Sequence, residues 1–265
     1  MSKLNVALTI AGTDPTGGAG IMADLKSFQA RDVYGMAVVT SVVAQNTCGV
    51  QAIRHLDMEI LDAQLHSVFS DIRPDAIKTG MLAEVDCIEL VASYLEKIKQ
   101  PYVLDPVMIA TSGDRLVDEK AVAVIIEKLF PLATLITPNL PEAEVLIEKK
   151  IEDESSLISA GKLLQAEFGI KNVVIKGGHI KGDATDYLFL ENNDLITLNS
   201  ERFETNHTHG TGCTYAAVIT AELAKGRNVQ EAVGTAKRFI TEAIRTAPNL
   251  GNGNGPVNHT TYKGE

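Results

Sequence analysis

The sequence predicts an α/β fold, a mostly parallel central sheet covered by helices on both faces, on three observations. Short β-branched runs alternate with stretches of ten or so residues at helical spacing from the first residues on. Some of the runs are apolar almost throughout, as strands buried on both faces are. The runs also end on or next to polar residues, Gln45, Lys78, Asp105, Asn139 and Lys176. In such sheets the carboxyl ends of the strands are where ligands bind. With no internal repeat, residues 1–265 read as a single domain.

The elements follow in order. Residues 4–11 form a first strand, and Gly12-Thr-Asp-Pro-Thr-Gly-Gly-Ala-Gly20 joins it to a helix over 21–32. That loop has neither the GxxxxGK[ST] nor the GxGxxG spacing. Its glycines would still let backbone amides come close around a small flat ligand. Residues 37–44 read as one strand buried on both faces, ending in Gln45 and Asn46, whose amides can read a polar ligand edge. A helix over 60–72, a strand over 76–80 and a helix over 84–98 come next. The strand over 102–107 carries Asp105, a costly group among apolar neighbours unless it is paired or holds a metal.

Met108 to Arg115 reads as a polar lid loop. A helix over 119–129 returns to a strand over 134–137, followed by Asn139, Pro141, Glu142 and Glu144. Pro141 suits a first helical turn and the two Glu complement its dipole, so capping alone accounts for Glu142. A helix over 155–168 and a strand over 173–176 follow. A hairpin over 187–198 turns at Asn192-Asn193-Asp194. Asn228 and Glu231 form a capping-box pattern that opens a last helix to about 247, and the tail from Pro248 is expected over the surface or a neighbour.

Everything is organised around His209-Gly-Thr-Gly-Cys-Thr214, which feeds an Ala-rich helix closed by Gly226. A glycine-rich turn into a helix leaves backbone N–H groups unpaired at the positive end of the dipole, where an anion such as phosphate fits. Gly210 and Gly212 let the backbone approach it, and Cys213 sits where that field lowers a thiol pKa. An ordinary loop before a core helix reads the same way. Asp, Asn, Glu and Lys converging on such a helix start suggest phosphoryl transfer with Mg²⁺. His207, His209 and Cys213 have the wrong spacing for a metal site.

Composition narrows the function classes. A net charge of −10, with scattered Lys and Arg, argues against nucleic-acid binding. Three widely separated cysteines form no disulfide framework, and no signal segment or membrane-spanning run is visible, so a cytoplasmic protein is expected.

Several motifs together carry a family resemblance. Gly12–Gly20, Val43-Ala-Gln45-Asn-Thr47, Lys78-Thr-Gly-Met81, Asp105-Pro-Val-Met108, Thr137-Pro-Asn-Leu-Pro-Glu142-Ala143, Lys176-Gly-Gly-His179 and His209–Thr214 resemble the hydroxymethylpyrimidine/phosphomethylpyrimidine kinases of thiamine biosynthesis. These are ribokinase-like enzymes, to which bacterial pyridoxal kinases are close relatives. The resemblance runs nearly end to end. It implies a ribokinase-like fold with a small β-hairpin element, ATP as phosphoryl donor, Mg²⁺ and a homodimer.

It also implies site roles. Cys213 would be the catalytic base, in an anion hole made with Gly210, Thr211 and Gly212. Asp105, Asn139, Glu142, Lys176, Thr211, Gly212 and Lys237 would surround ATP, with Asp105 and Glu142 toward the metal. Gly12, Ala19, Asp24, Gln45, Met81 and Val107 would hold the pyrimidine. Pyridoxal kinases of the subfamily carry a second lid cysteine where this chain has Ile109-Ala110-Thr111, which favours the pyrimidine alcohol. A nucleotide-responsive binding protein without turnover is the competing class.

Overall fold

The computed structural model describes residues 4–108, 117–177 and 184–262. The lid-loop expectation at 109–115 and His179 lie outside them.

An eight-stranded sheet forms the centre. Its strands are β1 (Val6–Ala11), β2 (Tyr34–Val39), β5 (Ala76–Thr79), β6 (Tyr102–Leu104), β7 (Leu135–Ile136), β8 (Val173–Lys176), β9 (Asp186–Phe189) and β10 (Leu195–Leu198). The order is β10-β9-β8-β7-β6-β5-β1-β2. The six strands from β8 to β2 run parallel, and β9 and β10 close the other edge antiparallel. The expected hairpin over 187–198 is therefore present, but as an extension of the large sheet.

Side chains alternate across the strands and build two cores, one per face. Leu8, Ile10, Ile77, Leu104, Ile136 and Ile175 pack under α2 (Met58–Asp71), α3 (Val85–Leu95), α4 (Glu119–Val124), α5 (Leu140–Ile147) and α6 (Glu154–Phe168). Ala7, Ala76, Val103, Leu135 and Val174 pack on the opposite face under α1 (Gly20–Ala30), α7 (Thr211–Ala224) and α8 (Val229–Arg245). From Thr214 to Ala224 every residue of α7 is buried. Its alanines let α1 and α8 pack closely on it, and Glu222 is neutralised there by Arg31 at 2.7 Å and Lys225 at 2.7 Å.

One expectation needs correction. The run over 37–44 is not one doubly buried strand. It breaks at Thr40 into β2, at the sheet edge, and β3 (Ser41–Asn46). β3 pairs antiparallel with β4 (Gly49–His55) as a separate two-stranded sheet, with Val43 opposite Ile53. Gln45 thus stands on a projecting hairpin rather than at the end of a core strand. Of the two places expected for the tail, the surface and a neighbour, it takes the second in part. Asn254 N donates to Thr47 O at 2.8 Å, and His209 N donates to Gly255 O at 3.0 Å, so the tail ties the hairpin tip to the start of α7.

His259, on that tail, bonds Thr214 Oγ1 through Nε2 at 3.0 Å. Burial, helped by the charges of Lys26 and His209, pushes its pKa down to about 4 from 6.5. The folded state then binds fewer protons than the unfolded one between those values, so folding weakens as pH falls from 6.5 toward 4. At about 1.4 kcal/mol per pKa unit the loss approaches roughly 3 kcal/mol. Denaturant unfolding from pH 7 to 4 should show a shallower fall for His259→Gln than for the wild type.

Candidate active site

The parallel strands end together, and the residues just past them wall a cavity of about 690 Å³. Gly12, Met81, Asp105, Val107, Asn139, Glu142 and Lys176 come from this carboxyl edge. Ala19 comes from the first glycine loop, Gln45 from the hairpin, Gly210, Thr211, Gly212 and Cys213 from the start of α7, and Lys237 from α8. Every site residue named from the sequence lines this cavity except Asp24.

Asp24 lies behind the wall, fully buried, with both carboxylate oxygens 2.8 Å from Lys78 Nζ and Oδ2 accepting from Thr9 Oγ1 at 2.6 Å. Lys78 does not open on the sheet edge either. Its ammonium turns back under Gly80, where a Cβ would stand 3.5 Å from Nζ. The reason is mutual: a buried ammonium on β5 is tolerable only with a buried counter-charge, and α1 supplies one. Burial works against the Lys78 charge, but the facing Asp24 carboxylate holds its pKa above the usual lysine value.

Two helices point their starts into the cavity, and both lack the side-chain cap that five others carry; α3 has none either, but holds Asp86 in its first turn. Asp57, Asp118, Asn139, Asp153 and Asn228 each cap a helix through a side-chain oxygen. α1 starts at Ala19 and α7 at Gly210, with neither a side-chain cap nor an acidic residue in the first turn. The α7 end is thus left for an anion, whereas the α1 end is partly taken: Ala19 N donates to Asp14 Oδ2 at 2.8 Å and Ile21 N to Gly12 O at 3.0 Å. Gly210 is required: its φ is 78°, and a Cβ there would overlap the Gly18 carbonyl oxygen.

Beside the α7 start sits a cluster of charge. Lys176 Nζ is 3.3 Å from Asp105 Oδ1, which also accepts from Thr137 Oγ1 at 2.8 Å. Asp105 Oδ2 faces Gly212, where a Cβ would lie 3.7 Å from it and 3.4 Å from Lys176 Nζ. Glu142 serves as the cap the sequence allowed. Its Oε2 accepts from Asn139 N at 2.8 Å while Asn139 Oδ1 accepts from Glu142 N at 2.9 Å. Burial raises its pKa to about 7, against the pull of Lys176. Lys237 is paired with Asp186 at 2.9 Å and donates to Ala184 O at 2.7 Å.

Cys213 departs from expectation in its electrostatics. The helix start was expected to draw the thiol toward thiolate. Burial instead pushes it up to about 11, with the Lys78 charge as the main opposing pull and Asp24 and Asp105 adding to the rise. The donor set suits Mg²⁺, which takes one or two carboxylates together with substrate phosphates. Asp105 and Glu142 provide two, and no cluster of three or more His, Cys, Asp or Glu able to hold a metal exists among the described residues.

Residues 14–258 match the model of the phosphomethylpyrimidine kinase family. The chain belongs to this family. It is 55% identical over 265 residues to the hydroxymethylpyrimidine/phosphomethylpyrimidine kinase of Staphylococcus aureus (strain MSSA476), covering 99% of this chain and 96% of that protein. It is 47% identical over 254 residues to the thiamine biosynthesis bifunctional protein ThiED of Geobacter sulfurreducens, covering 95% of this chain and 51% of that protein. Among solved structures, the ADP complex of Bacillus subtilis pyridoxal kinase superposes with a TM-score of 0.91 at 41% identity, over 98% of each chain. The ribokinase-like fold anticipated from the motifs is thus the fold of this kinase family.

Sequence reasoning missed three contributors to the site. Val50 and Ile53 of β4 line the cavity from the returning hairpin strand, whose only forward signal was the turn at Gly49. Asn254 reaches it from the tail. The third is the pairing of His209 with Asp14, which joins two motifs that had been read separately.

Proposed function

We infer that this chain is an ATP-dependent kinase that phosphorylates the hydroxymethyl group of 4-amino-5-hydroxymethyl-2-methylpyrimidine, and then its monophosphate, in thiamine diphosphate biosynthesis. Family membership and the full-length similarity to kinases of that name support the reading. The observation that carries its chemistry is the uncapped start of α7 opening into the cavity, with Cys213 in its first turn and the Lys176–Asp105 pair beside it.

In this reading the nucleotide's outer phosphates lie against the Gly210–Cys213 amides, with Lys176 and Asn139 neutralising and orienting them and Lys237 bordering the nucleotide. The pyrimidine lies between Gly12, Ala19, Met81 and Val107, and Gln45 reads its polar edge. The alcohol oxygen attacks the terminal phosphorus, the bond to the leaving diphosphate breaks, and the alcohol proton passes to the Cys213 thiolate, which becomes the thiol. A Mg²⁺ held by Asp105 and Glu142 would supply charge neutralisation for the phosphates. Positioning and charge account for most of the acceleration, and the base adds typically about 10²–10⁴-fold.

A homodimer is also proposed. The β3–β4 hairpin exposes Val42 on the face away from the cavity, and a two-stranded sheet is marginal alone in water, so a second copy covering it would stabilise this wall of the site. A cytoplasmic location is also proposed; no helix among the described residues is long and apolar enough to cross a membrane.

The deciding experiment compares kcat/KM for the pyrimidine alcohol, its monophosphate, pyridoxine and pyridoxal. Turnover of the first two should exceed that of the B6 alcohols by at least about tenfold. Pyridoxal as the best substrate would transfer the protein to the pyridoxal kinase reading, and nucleotide binding without any product would leave a binding protein.

A further inference from the structure

Asp14 and His209 stand 195 positions apart in two different glycine motifs, yet His209 Nε2 lies 2.7 Å from Asp14 Oδ2. Asp14 is fully buried and its acceptor positions are filled. Oδ1 accepts from Thr16 N at 2.9 Å and Thr16 Oγ1 at 2.8 Å, and Oδ2 accepts from Ala19 N at 2.8 Å as well as from the imidazole. The carboxylate therefore shapes the first glycine loop from inside and reaches across to the second.

His209 is held on its other sides by the tail. Its N–H donates to Gly255 O at 3.0 Å and its carbonyl accepts from Val257 N at 3.3 Å. The ring lies against Gly18, where a Cβ would be 2.6 Å from Cδ2. One residue later the Gly210 Cα meets the Gly18 carbonyl so closely that no side chain fits between them. The two loops thus touch backbone to backbone, and the His209–Asp14 side-chain bond crosses between them at this point.

We propose that the Asp14–His209 bond is a positioning device that sets the gap between the loop cradling the acceptor alcohol and the turn binding the phosphoryl group. The proposal rests on the functional reading above. Phosphoryl transfer needs the attacking oxygen and the phosphorus held within about 3–3.5 Å, and a displacement of ~1 Å costs about 100-fold. The alcohol is held by the 12–20 loop and the phosphoryl group by the 209–213 turn. A buried bond between them fixes the one distance on which the transfer depends. Neither Asp14 nor His209 needs to touch the reacting atoms. The tail acts in the same sense, since its bridge to His209 aims the imidazole.

The test uses His209→Ala, His209→Gln and Asp14→Asn in the full chain, with three readouts. For His209→Ala, kcat should fall about 10–100-fold while the KM values for ATP and the alcohol stay within about threefold. His209→Gln retains an N–H that can reach Asp14 and should restore kcat to within about fivefold of wild type. Asp14→Asn should fall between the two. Hydrogen exchange of the ligand-free protein, which needs no turnover, should quicken at the amides of 16–20 and 210–214 in His209→Ala and return toward wild type in His209→Gln.

A kcat for His209→Ala within about twofold of wild type overturns the proposal, as does a loss confined to KM. So does a kcat in His209→Gln no better than in His209→Ala, or unchanged exchange in both loops. Wild-type protein inactive on every alcohol tested would instead overturn the functional reading, and exchange alone would then judge the pair.

Discussion

Cys213→Ala is expected to lower kcat by about 10²–10⁴-fold and to leave ATP binding nearly intact. The sulfur lies at the mouth of α7, lines the cavity, and borders the Lys78, Asp24 and Asp105 charges. With the thiol raised to about 11, only a small fraction is thiolate at neutral pH in the ligand-free site. A base in that condition gives a rate that climbs with pH, because each unit below its pKa removes about tenfold of the ionised form. kcat should therefore rise with pH above neutrality in the wild type, and that limb should be absent in Cys213→Ala. Cys213→Ser tests the same point, since a hydroxyl keeps the shape but is a much poorer proton acceptor, and it should recover little. Nucleotide affinity, measured by calorimetry, should change by less than about threefold in both variants, because the amides of the turn remain. An unchanged kcat in Cys213→Ala would remove the base and leave positioning to carry the reaction alone.

Much of this site was legible because its residues advertise themselves locally. A strand that ends in Asp105 or Lys176 shows its polar end in the sequence, and parallel topology then brings all such ends to one edge. The glycines at 210 and 212 before an Ala-rich run announce an uncapped helix start. What stayed hidden depends on long-range contacts. β4 has most of its residues exposed and no clean alternation, so nothing marks Gly49–His55 as a strand until it pairs with β3. Asp14 and His209 look like ordinary loop residues until the tail and two glycine loops converge. The thiol's pKa was misjudged for the same reason. The helix field is visible in sequence, whereas burial beside Asp24 and Asp105 is a product of the fold.

Lys78→Met should cost the fold about 3–5 kcal/mol, the usual effect of stripping one partner from a buried ion pair. The side chains of Lys78 and Asp24 are wholly inaccessible to solvent, and Met fills the lysine stem while leaving Thr9 as the remaining donor to the Asp24 carboxylate among the described residues. Adding Asp24→Asn removes that stranded charge and keeps an acceptor for Thr9, so the double variant should regain most of the lost stability in urea unfolding. Activity should not follow. The Lys78 ammonium is the main influence lowering the Cys213 pKa against burial and outweighs the opposing effect of Asp24, so losing both charges still leaves the thiol harder to ionise. The double variant should therefore fold well and turn over slowly at neutral pH, with its alkaline limb displaced to higher pH than in the wild type. A buried pair can usually be replaced by neutral groups at little cost to stability, so retaining this one beneath the cavity wall makes most sense if its charge serves the thiol above it. Full activity in the stable double variant would show that the pair serves packing alone.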